Sequence, residues 1–101
     1  MSMKRQPQIK INQFQLAILL NDKEKQNYRY LIEEGVFCIR CLDTAICGIV
    51  VEEIFLNDLN DIYVRGTCTI CNGKVGRIME FGEDKAFYER ANIFRKAIHI
   101  L

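Results

Sequence analysis

The fold of this chain is decided by two Cys-x-x-Cys pairs, Cys38-Ile39-Arg40-Cys41 and Cys68-Thr69-Ile70-Cys71. Two residues between cysteines let one tight backbone turn aim both sulfurs at one ion. Four thiolates at tetrahedral corners suit a soft divalent metal, most simply Zn²⁺. We therefore predict one structural zinc ion held by all four cysteines. Such a closed site leaves the metal no open position for a substrate, so we expect its main role to be stabilising the fold.

Length and charge limit what else the chain does. At 101 residues there is room for one domain, which we place at 1–101. The segment 38–82 carries four basic and six acidic side chains, which does not favour phosphate binding. The apolar run Leu16–Leu20 is too short to span a membrane. Five cysteines without a recognisable signal peptide predict a reducing, cytoplasmic location.

The N-terminal third is expected to be mostly helical. Residues 1–8 are polar and read as a loose arm. The segment 12–20 fits either a short helix or a strand, and we favour the helix. Asp22 to Glu34 is a clearer helix, with Asn21 or Asp22 as its cap and Gly35 at the position that follows the last turn.

The middle of the chain is predicted to be β structure. The segments 46–56, 62–67 and 75–81 are rich in strand-forming residues, and the polar run 57–61 is a turn by composition. They predict a three-stranded antiparallel meander with both cysteine turns near one end. Gly48 is the expected position of a bulge.

The C-terminal segment 83–101 is predicted to be an amphipathic helix. Its apolar stripe consists of Phe87, Ala91, Phe94, Ile98 and Leu101, widened by Ala86, Ile93, Ala97 and Ile100. Polar side chains, among them Asn92, Arg95 and His99, occupy the other half. Either the N-terminal helices cover this wide stripe, or a second copy of the chain does. We expect a homodimer that uses Phe94, Ile98 and Leu101.

The segments Val36–Asp43 and Gly66–Lys74 resemble the two knuckles of a zinc ribbon. The second knuckle matches closely, because Asn72-Gly73 supplies residues that tolerate positive φ after the last cysteine. The first departs from the pattern, since Leu42-Asp43 replaces the usual glycine. The resemblance covers 36–81. It implies a three-stranded antiparallel zinc-ribbon sheet. The helices predicted on either side are not part of the resemblance, and together they predict an α+β protein in which this sheet is flanked by N-terminal helices and a C-terminal amphipathic helix.

Other uses of the cysteines are less well supported. The spacing is also similar to rubredoxin-like iron carriers, but their Cys-Pro-x-Cys-Gly sequence is missing. A redox dithiol would need a βαβ setting that neither pair has. Cys47 reads as a small buried apolar residue rather than an alternative ligand. No catalytic constellation can be assembled from the remaining side chains, and we predict that the protein is not an enzyme.

Two functions remain open at this point. The first is a protein-interaction or assembly module, and the alternative is nucleic-acid binding. Zinc ribbons serve in both roles, so the resemblance implies a scaffold rather than a single task. In either case we expect the partner surface to include Arg65, Lys74 and Arg77, with the 42–48 loop beside it. Because the ribbon is acidic overall, a protein partner is ranked above nucleic acid.

Overall fold

The structure, a computed structural model, describes residues 6–41, 43–44 and 48–100. Within these residues the protein is mixed α+β, with three α-helices and a four-stranded antiparallel sheet. The elements in chain order are β1 (Ile9–Ile11), α1 (Gln13–Leu19), α2 (Asp22–Glu34), β2 (Phe37–Cys38), β3 (Asp43–Thr44), β4 (Ile49–Leu56), β5 (Ile62–Cys68), β6 (Lys74–Met79), a 3₁₀ turn (Phe81–Glu83) and α3 (Lys85–Ile100).

Both N-terminal helices begin with the same capping arrangement. The Asn12 side chain accepts a hydrogen bond from the Gln15 backbone N–H, and the Gln15 side chain accepts one from the Asn12 N–H. Asn21 and Glu24 repeat this at the start of α2. The ambiguous segment 12–20 is therefore a helix, because its cap satisfies the first backbone donors. Gly35 ends α2 with φ −112°, so the left-handed conformation usual for glycine at this position is not used.

The sheet has one strand more than the sequence predicted. β1 pairs antiparallel with β4, placing Ile9 opposite Leu56 and Ile11 opposite Ile54. The strand order is β1-β4-β5-β6. The end of the N-terminal arm is also anchored, since the Gln6 backbone N–H donates to the Asp58 carbonyl at 3.2 Å. The prediction of three strands is corrected to four, because β1 pairs with the edge of β4 that does not pair with β5.

A bulge bends the β4–β5 pair, but it lies between Val51 and Glu53 rather than at Gly48. Gly66 lies opposite this irregularity. A Cβ atom there would approach the Val50 carbonyl oxygen to 2.0 Å, so only glycine fits. Gly48 instead takes a positive φ of 78°, at the entry to β4.

The helices cover one face of the sheet. The main core combines sheet residues such as Leu56, Ile62 and Val64 with helix residues such as Leu19 and Phe87, all nearly inaccessible to solvent. Directly opposed residues of antiparallel strands point to the same face. The register therefore places Phe55, Tyr63 and Ile78 together on the other face, where the rings of Phe55 and Tyr63 stack with centroids 5.8 Å apart.

α3 lies across the inner face of the sheet with part of its predicted stripe buried. Phe87, Ala91 and Phe94 are buried, and Ile98 is half-buried against the same core. Ile93, which widened the predicted stripe, is 68% exposed. The helix begins at Lys85, two residues later than predicted, because 81–83 form a 3₁₀ turn.

The predicted polar half of α3 also packs inward. Asn60 has φ 61° and is fully buried, and its side-chain amide donates to the Asn92 side chain at 2.9 Å. The Arg95 guanidinium donates to Asn60 Oδ1 at 2.8 Å and to the carbonyls of Asn57 and Pro7 at 2.5 Å each. We call Asn57, Asn60, Asn92 and Arg95 the polar junction. It ties the 57–61 turn, the N-terminal arm and α3 together.

Candidate metal centre

The two cysteine turns lie at the same end of the sheet. β5 delivers Cys68 directly into the second turn, while β2 and β3 form a small antiparallel ribbon around the first, with Cys38 opposite Asp43. In the second turn the Asn72 N–H donates to the Cys68 carbonyl at 2.9 Å, and the Cys68 N–H donates to the Gly73 carbonyl at 2.9 Å. Asn72 has φ 58°, as predicted for the residue after the last cysteine.

The four sulfurs converge on one point. All lie within 4.8 Å of one another, with Cys38 and Cys71 sulfurs 3.5 Å apart and Cys41 and Cys68 sulfurs 3.9 Å apart. Sulfurs at tetrahedral corners with zinc–sulfur bonds of about 2.3 Å are roughly 3.8 Å apart. The four predicted ligands therefore fit a single metal ion.

Backbone donors surround these sulfurs unequally. The N–H groups of Cys41 and Arg40 help to lower the pKa of Cys38 to about 7. Those of Cys71 and Ile70 likewise lower the pKa of Cys68. Such donors favour the thiolate, which is the form that binds metal.

Cys41 differs from its three neighbours. It is exposed, whereas Cys38 and Cys68 are buried and Cys71 is half-buried. Hydrogen bonding with the thiol of Cys71 raises the pKa of Cys41 to about 12, so Cys41 keeps its proton among free thiols. A divalent cation would oppose this effect, because its charge favours the thiolate of every ligand.

A small second core holds the turns in place. It consists of Val36, Cys38, Ile49 and Cys68, each at most 8% exposed. The Thr69 hydroxyl donates to the Gly48 carbonyl at 3.0 Å and connects the second turn to the start of β4. Two of the four predicted ligands are thus also core residues, so binding of a metal here would be coupled to the packing of this end.

The predicted partner residues do not form one surface. Arg65 opposes Gly76 and Lys74 opposes Thr67 on the open face of the sheet, whereas Arg77 opposes the buried Val64 on the other face.

Each of the three cations also has a partner. Arg65 lies 3.7 Å from the carboxylate of Glu53, and Lys74 lies 3.2 Å from that of Glu52. Arg77 donates to the Gly35 carbonyl at 2.5 Å. The structure therefore does not gather them into one positive patch.

The predicted self-association residues lie mainly against their own chain. Phe94 is 9% exposed, Ile98 packs partly on the main core, and Leu101 lies outside the described residues. This packing leaves little of Phe94 for a second copy, and the homodimer stays a prediction. Cys47 also lies outside the described residues, as does most of the 42–48 loop.

Sequence reasoning missed a group of exposed apolar side chains around the cysteines. Ile39 and Ile70 occupy the middle of the two turns and are 73% and 61% exposed. Phe37, two residues before Ile39, and Val50, at the start of β4, are each 55% exposed. We call these four residues the apolar tip. The signal was present in the sequence, because cysteines that turn inward to a metal force the residues between them outward.

Comparisons of this chain with protein-family models, with curated proteins and with solved structures find no match. In the part of the chain that the structure describes, no helix is long and apolar enough to cross a membrane.

Proposed function

We propose that this protein holds one structural Zn²⁺ at Cys38, Cys41, Cys68 and Cys71 and acts as a protein-interaction module. The role is binding rather than catalysis, because four thiolates leave the ion no site for a substrate. Thiolates persist in a reducing compartment, so we place the protein in the cytoplasm.

The apolar tip carries the proposal of a protein partner. Its four side chains are each more than half exposed, and two of them lie on turns whose cysteine sulfurs converge on one point. Exposed apolar side chains grouped at one end of a protein mark binding surfaces more often than isolated ones do. A metal-bound backbone would also hold these side chains on a rigid frame, which lowers the entropy lost on docking. Nucleic acid is less well supported, since Arg65 and Lys74 are paired with acidic groups in this structure.

Elemental analysis of the purified protein tests the zinc assignment. We expect one zinc per chain. Cys71→Ser is expected to lose the metal and the fold of this end, because structural zinc contributes on the order of 10–16 kcal/mol in zinc-finger peptides. Cys47→Ser, which changes the cysteine outside the predicted ligand set, should keep both. Iron in protein made with both metals available would contradict the assignment.

Comparative affinity capture from the host tests the docking surface. Ile39→Ser/Ile70→Ser is expected to lose the proteins that the unaltered chain retains while keeping its zinc. Phe14→Ser/Ile18→Ser removes two equally exposed apolar side chains from α1 and should retain them. Nuclease treatment should leave the captured set unchanged. Capture that nuclease abolishes would favour the nucleic-acid alternative instead.

A further inference from the structure

A groove runs between α1 and α2, away from the metal centre. It encloses about 290 Å³. Leu16, Ala17 and Leu20 line it from α1, and Ile32 lines it from α2. Leu16 and Leu20 are buried core residues, so the groove floor is fixed by the main core. This volume is at the lower end of the range for small-molecule sites.

One wall of the groove carries charged and polar groups. Lys25, Tyr28 and Arg29 line it within little more than one turn of α2, and Glu33 lines it one turn beyond Arg29, about 12 Å along the helix from Lys25. The positive end of the groove is therefore the end at Lys25. Neither Lys25 nor Arg29 forms an ion pair with any acidic group in the described residues. The Tyr28 hydroxyl is buried and has no hydrogen-bond partner there. A buried donor without an acceptor costs about 1–3 kcal/mol, so an acceptor that reaches this hydroxyl would be favoured. Because the oxygen itself is inaccessible, the Tyr28 side chain must shift to make that contact.

These observations together select one kind of occupant. An apolar floor favours an aliphatic chain, and two unpaired cations favour a negative charge at one end. The walls of the groove, residues 13–20 and 25–33, are each about 10–12 Å long. This length suits a short aliphatic chain rather than a helix of a partner protein.

We propose that the groove binds a small amphipathic anion, with its aliphatic chain over Leu16 and Leu20 and its carboxylate against Lys25, Tyr28 and Arg29. This site is independent of the proposed docking function, because none of its residues belongs to the apolar tip or to the cysteine cluster.

Titration calorimetry with sodium decanoate, below its micelle concentration, tests the proposal on the full chain. Each methylene that enters the groove should tighten binding about fourfold, so decanoate should bind about fifteenfold more tightly than octanoate. Decanol, which lacks the charge, should bind more weakly than decanoate.

Two pairs of variants locate the site. Ala17→Phe fills the groove and is expected to abolish decanoate binding, while Ala86→Phe, which changes an exposed alanine on α3, should leave it unchanged. Arg29→Gln should weaken binding up to about fivefold. Lys23→Gln, which changes an exposed cation of α2 outside the groove, should have no effect.

Tyr28→Phe tests where the carboxylate lies. We expect a loss of about tenfold in decanoate affinity together with a higher melting temperature of the free protein, because the unpartnered hydroxyl is gone. Equal decanoate affinity of Ala17→Phe and the unaltered chain would overturn the groove as the site. Equal affinity of Tyr28→Phe would overturn the placement of the carboxylate.

Discussion

Replacing Arg95 with Met tests the polar junction. The guanidinium donates to Asn60 Oδ1, to the Asn57 carbonyl and to the Pro7 carbonyl. Asn60 is fully buried and Asn57 is 6% exposed, so water cannot readily replace two of these three bonds. Each unsatisfied buried acceptor costs about 1–3 kcal/mol, which predicts a loss of about 2–6 kcal/mol in the free energy of unfolding. Met keeps the apolar stem, so packing changes little.

The loss is measured by urea unfolding with zinc in excess, which holds the contribution of the metal constant. Lys96→Met is the matched control, because it removes an exposed cation from the next position of α3 and should cost less than about 0.5 kcal/mol. Arg95→Lys should lie between the two, since an ammonium cannot reach three acceptors as a planar guanidinium does. A loss below 1 kcal/mol for Arg95→Met would refute the view that this junction holds the turn on α3.

Three further changes have defined outcomes. Gly66→Ala is expected to cost about 3 kcal/mol or more in urea unfolding because its Cβ would overlap the carbonyl of Val50. Gly76→Ala should cost much less, because its Cβ would come no closer than 3.3 Å to the Val64 carbonyl oxygen, a tight contact that a shift of a few tenths of an ångström relieves. Burial raises the pKa of Asp61 above its ordinary 3.8, so the folded protein favours the protonated carboxyl. The stability that this protonation contributes is complete below pH 3.8 and is lost as pH rises through the folded pKa. The stability of Asp61→Asn relative to the unaltered chain should therefore increase over that window, and a difference independent of pH would contradict this. Chelation of zinc should expose the amides of 36–38 and 68–73 to hydrogen exchange while those of main-core residues 56 and 62 stay protected; uniform loss of protection would show that the two ends unfold together.

The sequence predicted the cysteine cluster because the chemistry of a metal site is local. Two residues between cysteines define each turn, and asparagine at position 72 tolerates the positive φ that the second turn requires there. The structure confirms that the four sulfurs meet. It confirms helix α2 as well, because its cap and its length are both encoded within 14 consecutive residues, 21–34. Features of this kind depend on near neighbours in the chain, so periodicity and spacing are enough to find them.

Features that depend on distant parts of the chain were missed. β1 has only three residues, too few to show alternation, and it forms only because β4 is available to pair with it. Arg95 reads as a surface residue from its position on the polar half of α3. It is instead half-buried against the 57–61 turn, where burial lowers the pKa of its guanidinium. The periodicity of a helix does not show what packs against it, so it could not reveal that the turn with buried Asn60 contacts Arg95.

One error could have been avoided from the sequence. Lys74 and Arg77 lie three positions apart in a single strand, and alternation places side chains an odd number of positions apart on opposite faces. The pairing of β6 with β5 confirms this, since Lys74 faces Thr67 and Arg77 faces Val64. The prediction placed Lys74 and Arg77 on one surface because they are close in sequence, and it neglected that a strand has two faces.

The two ends of the protein are stabilised by different means. The helical end has the main core of twelve buried residues and the polar junction, neither of which involves a metal ligand. Among the described residues, the core cluster at the other end has four buried members, and two of them, Cys38 and Cys68, belong to the cysteine cluster. A cluster of this size contributes much less apolar burial than the main core does to offset the entropy of ordering two turns. If the proposed ion is bound, we expect it to contribute free energy where the apolar tip is displayed, so the surface proposed to bind a partner would depend on the ion more than the rest of the fold does.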